Sequence, residues 1–247
     1  KKIFAIIVEP YSASTYRENS IEFLEECRRL CNKYNIKLIF DEIYTGFGKT
    51  GDLFYCVKKK ITPDILIISK SFGGGKSSIS GYITNKNTIL KSYGSLNDAL
   101  LHSTTYNGFG EECLTAIESI NLMIKKKYYL NGEKIRKKMA PTFELLKKKH
   151  NDKIKDFRGE GAMFGFTFYT KYLIIKKIQK LLPVSILKDK KFLDKLLASA
   201  LLDELYSKYK ILGTLKFNKE VIFCLEPSLS VTDQEISKCL KSIKKLL

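Results

Sequence analysis

The sequence predicts an α/β fold, with a mainly parallel sheet covered by helices on both faces, followed by a smaller α+β domain. Three apolar runs, at residues 3–8, 37–40 and 65–68, are short, rich in β-branched residues and not interrupted by alternating polar residues. This pattern is typical of strands that helices cover on both sides. Apolar residues at helical spacing from Phe23 to Cys31 separate the first two runs, so strand, helix and strand follow one another.

Helix signals divide the chain into two predicted domains. Asn19 is the predicted N-cap of the first helix, with Glu22 three residues later. A later helix is predicted from about Cys113 to Tyr129, and it carries one apolar stripe, made of Ala116, Ile117, Ile120 and Ile124. The character of the sequence changes near residue 130. We therefore predict a large domain at 1–130 and a small α+β domain at 131–247.

The predicted small domain mixes helices and strands. A lysine-rich helix near 132–149 leads through the glycine turn of Phe157–Gly161 into a strand at Met163–Phe168. The remaining predicted elements are a helix near 190–209, strands at Ile211–Phe217 and Val221–Leu225, and a final helix from Val231. Thr232 and Glu235 have the spacing of a capping box for that last helix.

Composition excludes several classes of partner. The chain has 247 residues, 44% of them hydrophobic and 28% charged, which is typical of a globular protein. Its net charge of +18 comes almost entirely from lysine, which is less suited than arginine to bidentate phosphate recognition. Runs such as 125–127 and 147–149 suit solvated helix faces, so we expect no nucleic-acid partner. No apolar run reaches the roughly 20 residues of a membrane span, so we expect no membrane partner.

The six cysteines predict neither a metal site nor a disulfide framework, because they show no CxxC spacing and no histidine pair accompanies them. Cys27 and Cys31 are expected to be small core residues of one helix face. A reducing compartment fits, and we expect a cytoplasmic protein. The chain opens at Lys1 directly into a core-like strand, so upstream sequence, with any targeting signal, is expected.

Two chemically distinct groups follow two of the predicted strands. Asp41 ends the run Leu38–Asp41, and Lys70 ends the run Ile65–Lys70. Pyridoxal phosphate requires an amine that holds it as a Schiff base and an acid partner for its pyridine nitrogen, both on rigid elements. This pair therefore predicts a pyridoxal phosphate site.

A phosphate-binding loop is the competing interpretation of the same region. Gly48-Lys49-Thr50 and Gly75-Lys76-Ser77 both match the end of the GxxxxGK[ST] motif. The first glycine of that motif falls on Ile43 in one case and on Lys70 in the other. Neither loop has the backbone freedom that wraps phosphates, so we reject a P-loop NTPase.

Several motifs in order resemble the class III aminotransferases, which are pyridoxal-phosphate enzymes of fold type I. The resemblance covers nearly the whole chain. It is carried by Ile7-Val8-Glu9-Pro10, Asp41-Glu42-Ile43-Tyr44-Thr45-Gly46-Phe47-Gly48-Lys49-Thr50-Gly51, Pro63-Asp64-Ile65, Ser69-Lys70-Ser71-Phe72-Gly73-Gly74-Gly75, His102-Ser103-Thr104-Thr105-Tyr106-Asn107-Gly108 and Arg158-Gly159-Glu160-Gly161. Each motif is weak alone, and the ordered set is specific.

The resemblance implies roles for individual residues. Asp41 stands where the family bonds the pyridine nitrogen, and Lys70 stands at the Schiff-base lysine, which is also the proton shuttle. Thr105 matches a threonine that reaches the cofactor phosphate of a partner subunit. Ile43 matches a residue that packs on the cofactor ring, with core packing as its alternative. Tyr44 replaces a glutamine that bonds the cofactor's phenolic oxygen.

Two further positions bear on the substrate. Glu9 matches a family glutamate near the substrate, and a structural salt bridge is the alternative for it. Cys224 stands where the family commonly has an arginine that receives a substrate carboxylate, so that clamp is absent here.

The resemblance implies transamination between an amine or amino acid and an oxo acid or aldehyde, in a homodimer with shared active sites. Another pyridoxal phosphate reaction on the same fold, such as decarboxylation or racemisation, stays open. So does a non-catalytic remnant or interaction module.

Overall fold

The computed structural model describes residues 2–169 and 190–247 and divides the chain into two compact units. Unit 1 comprises the residues up to Ala13 together with Glu18–Leu130. Unit 2 comprises Ser14–Arg17 and Asn131–Leu247. The sequence after Leu130 therefore forms a unit with its own core, to which one short early segment belongs.

The main sheet of unit 1 has four strands, and three of them are parallel. The early strands are β1 (Ala5–Val8), β2 (Tyr11–Ser12), β3 (Arg17–Glu18), β4 (Lys37–Asp41), β5 (Ile65–Ile68) and β6 (Gly81–Thr84). The sheet order is β1-β4-β5-β6, in which β6 alone is antiparallel to its neighbour, while β2 and β3 form a separate ribbon. The predicted α/β class with a mainly parallel sheet is confirmed.

Helix α1 (Ile21–Tyr34) begins one residue later than the sequence suggested. Ser20 is its N-cap, because the Ser20 hydroxyl accepts a hydrogen bond from the Phe23 amide at 3.2 Å. The Asn19 side chain, predicted to be the cap, instead donates to the Glu9 carbonyl at 2.8 Å. The helix ends at Asn35, whose left-handed backbone (φ 50°) satisfies the last carbonyls.

The other helices of unit 1 are α2 (Tyr55–Lys59), α3 (Lys86–Tyr93) and α4 (Gly110–Lys125), with short 3₁₀ turns at Lys70–Gly73 and Tyr128–Leu130. The apolar stripe predicted on α4 is only partly covered. Ala116 is buried and Ile120 packs on the core, whereas Ile117 and Ile124 are exposed. Cys27 and Cys31 are buried in this core, as predicted.

Unit 2 packs helices against an antiparallel sheet. Its elements are α5 (Asn131–Lys149), β7 (Ile154–Glu160), β8 (Met163–Phe168), α6 (Lys190–Tyr209), β9 (Thr214–Phe217), β10 (Val221–Leu225) and α7 (Asp233–Leu246), and the sheet order is β7-β8-β10-β9. The capping box predicted at Thr232 and Glu235 is present. Within the described ranges, no helix combines the length and the apolar character that crossing a bilayer requires.

Candidate active site

The parallel strands of unit 1 carry Asp41 and Lys70 to the same edge of the sheet. Asp41 is the last residue of β4 and pairs in register with Ile67 of β5. The chain continues from Ile67 to Lys70, which opens the 3₁₀ turn after β5. The Glu42 amide, just beyond Asp41, donates to the Ile67 carbonyl at 3.1 Å and keeps the two strand ends together. The carboxyl edge of a parallel sheet is where α/β proteins bind ligands.

The Asp41 carboxylate is half-buried, and the turn that follows it fixes its orientation. One of its oxygens, Oδ1, accepts a hydrogen bond from the Ile43 amide at 3.0 Å, as in an Asx turn. In the part of the chain that the structure describes, this is its single hydrogen bond. The second oxygen thus remains available to a donor on a ligand.

Lys70 has an unusual backbone and an unpaired side chain. Its φ of 49° lies in the left-handed region, where a residue with a Cβ costs about 1 kcal/mol. Among residues 2–169 and 190–247, nothing hydrogen-bonds or ion-pairs with its ammonium. The side chain is exposed, so these residues do not supply the desolvation expected for a lysine that reacts as a neutral amine.

Glu42 is an organising residue of the site that sequence reasoning missed. It is fully buried, and its carboxylate accepts hydrogen bonds from the amides of Tyr55 and Cys56, at 2.6 and 2.7 Å, and from the Thr45 hydroxyl at 3.0 Å. Burial raises the pKa of Glu42. The side chain ties the end of β4 to the beginning of α2, so it fixes the turn that follows Asp41.

An aromatic stack connects this turn with the turn that bears Lys70. Phe47 is buried at a φ of 60°, and its ring stacks on that of Phe72 with centroids 5.5 Å apart and planes 13° apart. Phe54 packs edge-on against Phe47. A side chain at Gly46 would approach the Glu42 carbonyl oxygen to 3.0 Å, so this glycine is required for the close packing.

Ile43 and Tyr44 lie in the turn after Asp41, and both are half-buried. The Ile43 amide is the donor to Asp41 already described. The ring of Tyr44 lies below the Lys49 ammonium, whose nitrogen is 4.1 Å from the ring centroid. This cation–π contact is a second feature that the sequence pattern did not predict.

Among the described residues, neither Glu9 nor Thr105 hydrogen-bonds with Asp41 or Lys70. The Glu9 carboxylate accepts from the Ala13 amide at 2.9 Å and so closes a local turn. Thr105 is exposed in a segment without regular structure. The His102 ring, three residues earlier, stacks on Tyr82 of β6 with centroids 6.1 Å apart, which places the start of that segment beside the sheet.

Cys224 lies in unit 2 as a neutral, packed side chain. It is fully buried in β10, and desolvation raises the pKa of its thiol to about 11. A thiol in this state cannot provide the charge of the arginine that it replaces in the family pattern.

The residues at the sheet edge fit pyridoxal phosphate. The cofactor needs a carboxylate with a free oxygen and a lysine amine that is not engaged elsewhere, and Asp41 and Lys70 meet these conditions. The described residues contain no group of three or more potential metal ligands.

Comparisons with known proteins agree with this chemistry. A family model described as aminotransferase class III matches residues 1–247. The chain is 30% identical over 226 residues, 90% of its length, to adenosylmethionine-8-amino-7-oxononanoate aminotransferase of Staphylococcus aureus. It is 35% identical over 167 residues, 68% of its length, to acetylornithine/succinyldiaminopimelate aminotransferase of Buchnera aphidicola.

A solved structure shows the same fold. The acetylornithine aminotransferase of Elizabethkingia anophelis superposes with a TM-score of 0.77 at 25% identity, over 98% of this chain and 56% of that one. The chain spans 45% of the length of the Staphylococcus relative and 39% of that of the Buchnera relative. Because the family model matches residues 1–247, the chain belongs to the class III aminotransferases, a family of pyridoxal-phosphate-dependent enzymes.

Proposed function

We propose that the protein transfers amino groups with pyridoxal phosphate, and that Lys70 is its attachment and proton-transfer residue. The observation that carries this proposal is the placement of an unpaired lysine and a half-satisfied carboxylate on adjacent parallel strand ends. When bound, the cofactor supplies an electron sink for the substrate carbon that loses its proton. The protein's residues hold and orient the cofactor, and they move protons.

Asp41 provides the fixed negative charge of the site. Its free oxygen would accept a hydrogen bond from the N–H of the pyridine ring, and the negative charge would keep that nitrogen protonated. The Ile43 amide holds the other oxygen and prevents the carboxylate from rotating away. The buried Glu42 secures this turn from behind, through the amides at the start of α2.

Lys70 is the proposed proton-transfer residue. As a neutral amine, Lys70 would hold the cofactor, and when free of it the amine would take a proton from the substrate carbon. The same amine would later give the proton up again, so the lysine would end the half-reaction unchanged. Its left-handed backbone, braced by the Phe72 stack, holds the amine at the sheet edge.

The remaining predicted residues have supporting roles in the proposal. Ile43 packs against the cofactor ring, and the Tyr44 hydroxyl bonds its phenolic oxygen. Thr105 contributes to the phosphate site of a partner subunit, and its exposure suits a residue that serves another chain. Glu9 faces the substrate in this proposal, although its observed hydrogen bond is local.

The proposed substrates are an amine or amino acid as donor and an oxo acid or aldehyde as acceptor. The Staphylococcus and Buchnera relatives are named for different amino compounds. The neutral Cys224 removes the bidentate carboxylate clamp at its position. We therefore propose a donor whose reacting amine does not depend on that clamp.

We also propose a homodimer in a reducing compartment such as the cytoplasm. Unit 1 exposes a stretch of leucines, with Leu96 98% exposed, Leu100 78% and Leu101 72%, in the segment that leads to Thr105. Several large exposed apolar side chains in one short segment suit a protein interface. All six cysteines are free thiols, which supports the choice of compartment.

Borohydride labelling of the full-length protein tests the assignment of Lys70. After incubation with pyridoxal phosphate and reduction, we expect the label on the peptide that contains Lys70, together with aminotransferase activity. Lys70→Ala is expected to lose the label and at least about 1,000-fold of the activity. Lys76→Ala, which removes an exposed lysine from the same glycine-rich turn, is the matched control and should keep both. Label on another lysine, or full activity without Lys70, contradicts the proposal.

A further inference from the structure

The segment that resembles the end of a phosphate-binding loop has a different use in the folded chain. Gly48 and Gly51 have φ values of 90° and 97°, and the Gly51 amide donates to the Gly48 carbonyl at 3.0 Å. The Thr50 carbonyl accepts a hydrogen bond from the Lys58 ammonium at 2.8 Å. The loop therefore closes on itself, and its amides do not form an open cradle.

The closed loop fixes the backbone at Lys49. Phe47 and Thr50, on either side of it, are both buried, so the backbone at Lys49 is anchored at two points. The Lys49 ammonium lies 4.1 Å from the centroid of the Tyr44 ring, well inside the roughly 6 Å limit for a cation–π contact. The other cation–π pairs of the described residues have distances of 5.1 to 6.0 Å.

Tyr44 belongs to the same turn as Asp41. The Ile43 amide bonds the Asp41 carboxylate, and the Gly46 amide bonds the Glu42 carbonyl at 3.0 Å, so Tyr44 lies between two fixed points. These bonds set the backbone of Tyr44, and the Lys49 ammonium contacts its ring.

We propose that Lys49 is a positioning residue of the strand-end site, which fixes the Tyr44 ring and adds a positive charge to the turn that carries Asp41. The inference rests on the proposed function and extends it to a residue of the glycine loop. Pyridoxal phosphate is an anion through its phosphate and its phenolic oxygen. A fixed cation and an immobilised phenol in this turn both favour its binding, because less ordering is left to the moment of association.

If the cation–π contact between Lys49 and Tyr44 had only a structural role, a different result would be expected. If Lys49 only braced the loop, its loss would lower the stability of the cofactor-free protein and leave cofactor affinity unchanged once folding is accounted for. If Lys49 positions Tyr44 for the cofactor, its loss weakens binding, and the size of the loss depends on the aromatic ring at position 44.

A double-mutant cycle on the full-length protein separates the two. The variants are Lys49→Met, which keeps the apolar stem, Lys49→Arg, which keeps the charge, Tyr44→Leu, and the Lys49→Met/Tyr44→Leu pair. The measurements are the dissociation constant of pyridoxal phosphate, by absorbance titration of the cofactor-free protein, and the thermal midpoint of that cofactor-free protein. Lys33→Met is the matched control, because Lys33 makes a cation–π contact with Tyr34, on the exposed end of α1.

We expect Lys49→Met to weaken pyridoxal phosphate binding about 3- to 10-fold, within the range that cation–π contacts give, and Lys49→Arg to restore most of the affinity. In the Tyr44→Leu background, Lys49→Met should have a smaller effect, because only the positive charge is then lost, and Lys33→Met should have none in any background.

Two results overturn the inference. One is unchanged affinity in Lys49→Met, and the other is an equal loss with and without the Tyr44 ring. Either result leaves the proposed function intact if Lys70 is still labelled. Failure of the wild-type protein to bind the cofactor at all would instead overturn the proposed function.

Discussion

The two units cover their apolar surfaces to different extents. Unit 2 buries a cluster of phenylalanines, in which Phe143 of α5 contacts the rings of Phe157, Phe164 and Phe166 at centroid distances of 5.1 to 5.5 Å. Its helices α5, α6 and α7 pack on this core. Unit 1 buries a smaller cluster around α1 and leaves large apolar residues of β1, α4 and the segment before Thr105 exposed.

We interpret this difference as a division of tasks between the two units. A unit that closes its own core gains stability from burial within one chain. A unit that leaves apolar side chains exposed to water has surface available for association. Unit 1 is such a unit, and it also bears Asp41 and Lys70. We therefore expect core substitutions in unit 2 to act on folding, and surface substitutions in unit 1 to act on assembly and on the site.

The largest effect is expected from Phe143→Ala in unit 2. Phe143 is fully buried and central to the aromatic cluster, so its truncation should lower the free energy of unfolding by about 3–5 kcal/mol. Phe217→Ala, at a ring that is 60% exposed in the same unit, is the matched control and should cost under about 1 kcal/mol. Urea unfolding followed by circular dichroism gives both values. Equal costs for the two variants would show that unit 2 has no closed core.

Local signals in the sequence predicted the fold well where no distant residue intervenes. The capping box of α7 needs only Thr232 and Glu235, and it is present as predicted. The N-cap of α1 was wrong by one residue because Asn19 and Ser20 are both good caps. The choice depends on the Glu9 carbonyl, which engages the Asn19 amide from ten residues away.

The positions of Asp41 and Lys70 at strand ends could be predicted from the sequence, because each residue comes within two positions of the end of an apolar run. The role of Glu42 could not, although Glu42 adjoins Asp41. Its burial depends on the amides of Tyr55 and Cys56, which only the folded loop brings within reach. The contact of Lys49 with Tyr44 likewise requires the closed glycine loop, and the sequence shows there only the end of a nucleotide-binding motif.

The exposed leucines of unit 1 test the assembly side of the comparison. Replacing Leu96, Leu100 and Leu101 together by Ser should raise the dissociation constant of the proposed dimer about 100-fold or more, since each buried leucine contributes about 1.5–3 kcal/mol. Leu212→Ser, at a position of unit 2 that is 78% exposed, is the matched control and should leave the dimer intact. Sedimentation velocity over a range of concentrations measures the equilibrium. An unchanged equilibrium in the triple variant would mean that the interface lies elsewhere.

The smallest predicted effect concerns two glutamates, one in each unit, whose environments shift the pKa in opposite directions. Hydrogen bonds from Lys155 and Arg158, at 2.5 and 2.6 Å, lower the pKa of Glu220 from 4.5 to about 2. Burial raises the pKa of Glu42 above the same ordinary value.

These shifts have opposite consequences for stability. The contribution of Glu220 is present above about pH 4.5 and is lost as the pH falls towards 2, because the unfolded chain takes up the proton near pH 4.5 whereas the folded state resists it until about pH 2. The contribution of Glu42 is greatest below pH 4.5 and declines as the pH rises through its folded-state pKa, because the ionised carboxylate is costly in the interior.

Substitution by glutamine removes each titration in turn. Between pH 5 and 2, Glu220→Gln should lose about 1 kcal/mol less unfolding free energy than the wild type, a value reduced for solvent screening because the side chain is 34% exposed. Above pH 4.5, Glu42→Gln should remove the decline that the wild type shows with rising pH. Unfolding measured by urea titration at a series of pH values gives both slopes. Since the two signs are opposite, each variant is the control for the other, and slopes of the same sign would contradict the assigned environments.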